Sequence, residues 1–181
     1  ARVFTRVYAD AARAAARASD TLRAAGLCRS PIDGLPISIK DLFDVAGETT
    51  LAGSVVRQGE PAATENAVIV RRLQAAGAVL IGKTNMTEFA YSGLGINPHY
   101  GTPKNPWDRA TGRIPGGSSA GAAVSVSDAM AVAGIVSDTG ASVRIPAALC
   151  GLTGFKPTAR RVSTRGALPF EAYVDALLAD L

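Results

Sequence analysis

The chain is poor in the residues that build most metal and redox sites. Its 181 residues include a single histidine, His99, and only two cysteines, Cys28 and Cys150. The cysteines lie far apart and show no C-x-x-C spacing, so we expect free thiols, at least half-buried, in a reducing compartment. A bound metal ion is not indicated, and a cytoplasmic location is the default expectation.

Long apolar runs are missing as well. No stretch of the chain approaches the roughly 20 apolar residues that are needed to span a bilayer. The first residues also lack the basic, then apolar, then cleavage-site pattern of a signal peptide. We therefore expect no membrane partner. Because the chain begins with Ala1 rather than methionine, we expect a processed or partial product.

Positive charge is in modest excess, and aromatic residues are few. The net charge is +4, and aromatic residues make up 6% of the chain. Most arginines are scattered, and the one cluster, at residues 160, 161 and 165, has no recognition motif or stacking platform beside it. A nucleic-acid partner is therefore not expected. A hydrophobic fraction of 48% is typical of a globular protein, and we expect a single domain over residues 1–181.

The distribution of apolar residues predicts alternating helices and strands. An amphipathic helix is predicted over residues 4–26, and a second helix is predicted to begin at a Thr64 cap and to end at Gly77. Glycine, proline and asparagine predict a long ordered loop over 91–117, followed at once by a third helix. Short strands are predicted over 37–40, 78–82 and 132–136. This alternation is typical of the α/β class.

Two short motifs compete for a functional role. Residues 117–121 match G-x-S-x-G, the nucleophile elbow of α/β-hydrolases, which would make Ser119 the nucleophile. That arrangement needs a histidine after the serine, whereas His99 precedes it. Residues 77–84 match the phosphate-binding pattern G-x-x-x-x-G-K-[ST], but the residues between the two glycines are apolar and predict a buried strand. We interpret both matches as coincidental.

A lysine is the remaining candidate base for an activated serine. Lys40 lies on the predicted strand face opposite Ile37 and Ile39; alone, it is typical of a surface lysine on an edge strand. Ser142 lies in the segment DTGASVRIPAALCG. Because the chain has one histidine and no cluster of metal ligands, a serine nucleophile here would need a base such as Lys40. Ser-Lys catalysis is therefore the sharper hypothesis.

Separated segments of the chain resemble the amidase signature family in the same order. GLPISIKDLFDVAGETTLAGS resembles its lysine segment and GKTNMTEFAYSGLGINPHYGTPKNPWD its connecting loop. PGGSSAGAAVSV and SDTGASVRIPAALCGLTGFKPT resemble its serine signature. The resemblance covers about residues 4–169. It implies an α/β protein with the amidase signature fold, a mixed β-sheet core flanked by helices on both faces, and no cofactor or metal.

The resemblance also implies roles for individual residues. Lys40 resembles the family's general base and Ser142 its nucleophile. Ser118 resembles the serine that bridges them, which follows an unusual cis peptide bond, here with Gly117. The oxyanion hole would be formed by the backbone N–H groups of Thr139, Gly140, Ala141 and Ser142.

Other residues near the serine segments have supporting roles in this hypothesis. Asp138 and Arg144 flank Ser142, and we expect a charge-assisted pair that fixes the loop. Ser119 is expected to form a hydrogen bond at the start of the following helix. His99 is expected to satisfy a loop hydrogen bond or to line an entrance. Two roles are expected equally for Phe89, Ala90 and Tyr91: they border the acyl pocket, or they belong to the core.

Two positions depart from the family's pattern. Ala141 stands where the family usually has glycine, and Ser137 stands where it has threonine. If residue 141 has a positive φ, its Cβ costs about 1 kcal/mol and tilts an N–H group of the oxyanion hole.

The chain is also shorter than the family's. We expect the domain to be incomplete at its C-terminal side, with a homodimer or partner chain supplying the missing sheet edges. The tail at 170–181 reads as an amphipathic, helix-like segment that does not align with the family.

The resemblance implies hydrolysis of a small-molecule carboxylic amide to the acid and ammonia or an amine, through an acyl-enzyme. A glutaminase-type subunit of an amidotransferase, which would need a partner, is an alternative function. A catalytically inactive, truncated homologue that acts as a binding module is another. The geometry of Lys40, Ser118 and Ser142 discriminates between the active and inactive alternatives.

Overall fold

The computed structural model describes residues 2–169, which form an α/β structure. The longest helix in this part has 16 residues, and none is long and apolar enough to cross a membrane. Single turns of 3₁₀ helix cover Val56–Gly59 and Glu88–Ala90. The strands and α-helices are β1 Phe4–Val7, α1 Ala9–Ala24, β2 Pro36–Lys40, α2 Val68–Ala75, β3 Val79–Thr84, α3 Ala120–Ser127, β4 Ala133–Ile135 and α4 Arg144–Leu149.

The strands form one mixed sheet in the order β1-β3-β2-β4. Strand β1 runs antiparallel to β3, whereas β2 is parallel to both β3 and β4. The carboxyl ends of the three parallel strands therefore lie at the same edge of the sheet, where α/β proteins commonly place their sites. Lys40 ends β2 at this edge, and Ser137 lies two residues after β4.

Helices cover both faces of the sheet. Ser38 on β2 hydrogen-bonds across 2.9 Å to Ser125 on α3, so α3 lies on that face. Ile39, the next residue of β2, belongs instead to the main apolar cluster with Val70 and Leu73 of α2. Since successive side chains of a strand point to opposite faces, α2 and α3 lie on opposite sides of β2. The predicted fold class and layer arrangement are confirmed.

Several predicted boundaries were wrong. Residues 4–7 form strand β1 rather than the start of a helix, because their backbone pairs with β3 and this pairing overrides the helical spacing of their apolar side chains. Helix α2 begins after Ala67, without a Thr64 cap. Strand β3 covers most of the phosphate-loop match, as expected.

Both cysteines are free, but Cys28 is exposed rather than at least half-buried. The tail at 170–181 lies outside the described residues.

A second lysine is buried on β3 with acidic neighbours. The side chain of Lys83 lies 4.0 Å from Asp41 Oδ1 and 3.8 Å from Glu48 Oε2. Burial lowers the pKa of Lys83 and raises that of Asp41 to about 6, and in both cases the partner's charge opposes the shift. Tyr8 donates a hydrogen bond to Glu48 at 2.9 Å, which ties the start of α1 to this cluster.

Helix α3 approaches the segment after β3 so closely that position 121 has no room for a Cβ, and only glycine fits there. A Cβ at Gly121 would lie 2.6 Å from Asn85 N and would also overlap Val3 O. In exchange, the Gly121 N–H donates to Asn85 O at 2.8 Å. This contact fixes the start of α3, and with it Ser118, against β3.

We expect Gly121→Ala to lower the free energy of unfolding by about 1–3 kcal/mol, because the atoms that its methyl group meets belong to the backbone. Denaturant unfolding of the full-length protein measures the change. Gly59→Ala is the matched control, since a Cβ at Gly59 meets nothing within 4 Å. Equal stability of the two variants would contradict the close contact.

Candidate active site

Lys40 lies at the carboxyl end of β2 and is fully buried, with 0% of its surface exposed. Its Nζ lies 2.6 Å from Ser118 Oγ and 2.9 Å from Ser137 Oγ. Within residues 2–169, it forms no ion pair with a carboxylate. A buried amino group that is held only by hydroxyl groups is poorly compensated for its charge.

Burial lowers the pKa of Lys40 to about 7, and the negative charge of Asp138 only partly opposes this effect. A large fraction of Lys40 is therefore neutral near neutral pH, and a neutral amine has a lone pair that can accept a proton. Lys83 on the neighbouring strand differs, since two carboxylates lie within 4.0 Å of its amino group. The sheet thus buries two lysines with different neighbours, hydroxyl groups at Lys40 and carboxylates at Lys83.

Ser118 is fixed through its backbone just before α3. Its peptide bond with Gly117 is cis, as the family resemblance implies. A Cβ at Gly117 would lie 2.5 Å from Gly95 N and 2.6 Å from Ser92 O, so only glycine fits there. Thr87 N donates to Ser118 O at 3.0 Å, and Gly117 N donates to Gly93 O at 2.7 Å. The loop at 87–93 therefore holds both sides of this peptide.

Ser137 was missed as a site residue. It stands where the resembling family has threonine, and the sequence offered only this substitution as a signal. In the structure its hydroxyl is the second hydrogen-bond partner of Lys40. Threonine and serine both carry a hydroxyl on Cβ, so the departure keeps the polar group that Lys40 contacts.

The loop that carries Ser142 is organised by Asp138. Both carboxylate oxygens of Asp138 accept hydrogen bonds at 3.0 Å from the guanidinium group of Arg144, which forms the expected pair. These bonds hold the pKa of Asp138 well below its usual range. Ser142 itself is half-buried in the turn before α4. Within the described part of the chain, its hydroxyl forms no hydrogen bond with Lys40 or Ser118.

The four backbone N–H groups assigned to the oxyanion hole are not equivalent. The Ala141 N–H donates to Asp138 Oδ1 at 2.7 Å and is therefore engaged inside the loop. Across residues 2–169, the N–H groups of Thr139, Gly140 and Ser142 have no partner. Ala141 has a φ of +106°, the positive value that makes its Cβ unfavourable.

The structure also shows what surrounds Ser119 and the three residues considered for the acyl pocket. Ser119 stands at the N-cap position of α3, but its side chain forms no capping hydrogen bond, and the expectation of one was wrong. The Ser119 hydroxyl is buried without a partner in the described region. Phe89 and Ala90 pack against the main apolar cluster, which fits the core alternative, whereas Tyr91 is 68% exposed.

A groove of about 790 Å³ opens between β4, α3, α4 and the segment after α4. Ser137, Asp138, Thr139, Phe155 and Val162 are among the residues that line it. Phe155 is 79% exposed although it is aromatic. The groove is lined by none of the three residues predicted for the acyl pocket.

The mixed sheet, the buried lysine and the serine beside it define the class of protein: an α/β fold with a candidate Ser-Lys site. The chain belongs to the amidase family, whose model, described as Amidase, matches residues 2–177. The segments that carry this relationship include those that bring Lys40 and Ser118 together.

Named relatives span several activities. The chain is 49% identical over 174 residues to AtzE, the 1-carboxybiuret hydrolase subunit of Pseudomonas sp. (strain ADP), covering 96% of this chain and 38% of that protein. It is 47% identical over 172 residues to a glutamyl-tRNA(Gln) amidotransferase subunit of Anaeromyxobacter sp. (strain K), covering 95% and 34%. The chain therefore spans about a third of the length of these relatives.

Solved structures share the fold. The native peptide amidase of Stenotrophomonas maltophilia superposes with a TM-score of 0.77 at 38% identity, covering 87% of this chain and 33% of that one. A chain from a vestigial protein complex related to an s-triazine catabolic enzyme superposes with a TM-score of 0.87 at 49% identity, covering 92% and 36%.

We expect Ala141→Gly to raise the free energy of unfolding by about 1 kcal/mol, because glycine adopts a positive φ without the Cβ penalty. Thermal or denaturant unfolding of the full-length protein measures the gain. The matched control is Ala148→Gly in the exposed part of α4, where glycine should lower stability by about 0.5–1 kcal/mol. A loss of stability in both variants would contradict the backbone conformation at residue 141.

Proposed function

We propose that the protein containing this chain is an amidase that hydrolyses a small-molecule carboxylic amide through Ser142, Ser118 and Lys40. The observation that carries the proposal is the 2.6 Å contact between the fully buried Lys40 amino group and Ser118. A lysine whose pKa is lowered to about 7 can act as a general base at neutral pH. The family to which the chain belongs supports the same chemistry.

The first chemical step forms an acyl-enzyme. Neutral Lys40 accepts the Ser118 proton while Ser118 accepts the Ser142 proton, and the Ser142 oxygen attacks the carbonyl carbon of the amide. The electron pair of the carbonyl moves onto its oxygen. The N–H groups of Thr139, Gly140 and Ser142 are suited to hold that oxyanion, whereas the Ala141 N–H is occupied by Asp138.

The intermediate then loses its amine. The C–N bond breaks, and the leaving nitrogen takes the proton back from Lys40 through Ser118, which leaves an ester on Ser142. Water attacks this ester through the same relay, and the acid departs with Ser142 restored. Ser137 supports the relay, because by accepting one Lys40 N–H at 2.9 Å it leaves the amine's lone pair free to face Ser118.

Membership of an amidotransferase is the second candidate function. The observation that favours it is the 47% identity to a glutamyl-tRNA(Gln) amidotransferase subunit, a level close to the 49% identity to the hydrolase subunit. Both names describe subunits. The groove beside β4 and the edge of that strand would then be covered by further protein of the same or a partner chain, or by a second copy. Glutaminase activity that depends on a copurified partner would favour this alternative.

An inactive homologue that serves as a binding module is a third alternative. A buried lysine held only by hydroxyl groups destabilises the fold, because burial lowers its pKa and therefore opposes folding at every pH below the ordinary pKa of lysine. This cost favours an active enzyme over the binding module.

We expect Ser142→Ala in the full-length protein to lower kcat/KM by about 10⁵-fold and Lys40→Ala by about 10²–10⁴-fold, because the first removes the nucleophile and the second its base. Ammonia release from a panel of simple amides measures both changes. Ser127→Ala and Lys104→Ala are matched controls that should keep the parent rate. A serine-directed phosphonate should label Ser142, and labelling of Ser119 instead would contradict the assignment.

A further inference from the structure

A second polar cluster lies beside the proposed triad and has no part in the mechanism above. Glu88 Oε1 accepts a hydrogen bond from Ser54 Oγ at 2.7 Å and lies 2.9 Å from His99 Nε2. An ionised carboxylate can only accept hydrogen bonds, so His99 carries a proton on Nε2 in this pair. Ser54 is fully buried, and Glu88 is the acceptor for its hydroxyl.

The backbone next to Glu88 is bonded directly to the candidate active site. The preceding residue, Thr87, donates its N–H to Ser118 O at 3.0 Å. On the other side of the turn, Gly93 O accepts the Gly117 N–H at 2.7 Å. The loop at 87–93, which contains Glu88, is therefore bonded to the backbone on both sides of the Gly117–Ser118 peptide.

This turn has an uncommon conformation. Phe89 and Ala90 follow Glu88 directly and have φ values of 49° and 61°, in the left-handed region that residues with a Cβ avoid. Such a conformation persists only where its surroundings enforce it. The Glu88 carboxylate supplies one enforcing contact, since it is anchored on a buried hydroxyl and on the imidazole.

We propose that Glu88, held by His99 and Ser54, is a positioning residue that sets the Ser118 hydroxyl in line between Lys40 and Ser142. The proposal rests on the function proposed above. Glu88 acts through the turn and the Ser118 backbone, and it touches neither Lys40 nor Ser118 through its side chain. Small displacements of a proton relay slow the chemical step more than they weaken substrate binding.

The fold has a separate anchor for the same region, so loss of the Glu88 pair should leave the chain folded. The Asn97 side chain is buried and donates to Gly53 O and Met86 O, both at 2.8 Å. These two hydrogen bonds join the segment around Gly53 to the segment around Met86, and neither of them involves the Glu88 carboxylate. Glu88 itself is partly exposed, with 32% of its side chain accessible.

The test compares Glu88→Ala, Glu88→Gln, His99→Ala and His99→Gln in the full-length protein. We expect Glu88→Ala to lower kcat about 10–100-fold and His99→Ala to lower it about 3–10-fold, with KM changed less than about twofold. The glutamine variants keep an acceptor at residue 88 or an N–H donor at residue 99, so each should recover most of the kcat lost in its alanine counterpart. Glu65→Ala, which breaks an exposed ion pair with Arg165, is the matched control and should keep the parent kcat.

The outcomes distinguish a failure of the Glu88 positioning role from a failure of the proposed amidase function. An active parent enzyme whose Glu88→Ala variant keeps kcat within twofold would overturn the positioning role and leave the triad in place. A rise in KM with unchanged kcat would also overturn it, because it would assign Glu88 to substrate binding. A parent protein that neither releases ammonia nor reacts with the phosphonate would overturn both. If Glu88→Ala does not fold, the two His99 variants decide by the same criteria.

Discussion

The site depends on the burial of one amino group without a carboxylate to balance it. Lys40 and Lys83 lie on adjacent strands, and both are buried, with 0% and 2% of their surfaces exposed. Lys83 faces Asp41 and Glu48, whereas Lys40 faces the hydroxyl groups of Ser118 and Ser137. Burial lowers the pKa of both lysines. Only Lys40 contacts Ser118, and this contact makes it the candidate base.

Much of the surrounding structure serves to hold that base against its serine. Parallel pairing of β2 with β3 and β4 brings the ends of three strands together. Gly121 lets α3 approach the segment after β3, and the loop at 87–93 bonds the backbone on both sides of the Gly117–Ser118 peptide. Asp138 organises the remaining loop from its own side. The contacts come from segments far apart in the chain, so they form only when the fold is complete.

The sequence predicted the parts that depend on pattern and resemblance. The α/β class, the strand that ends at Lys40 and the pairing of Asp138 with Arg144 agree with the structure. The sequence-based predictions were wrong where tertiary contacts determine the local structure. Residues 4–7 have helical spacing but pair with β3, and Ser119 precedes α3 without capping it. Ser137 and Glu88 could not be singled out, because their importance lies in partners that are distant in sequence.

The protonation state of Lys40 tests this account most directly. Selective labelling of lysine side chains in the full-length protein, with Lys40→Arg to assign the signal, allows its titration to be followed by NMR. The account predicts a pKa of about 7, so that Lys40 is protonated below this pH and neutral above it. A Lys40 that remains protonated until about pH 10, as an exposed lysine does, would contradict it.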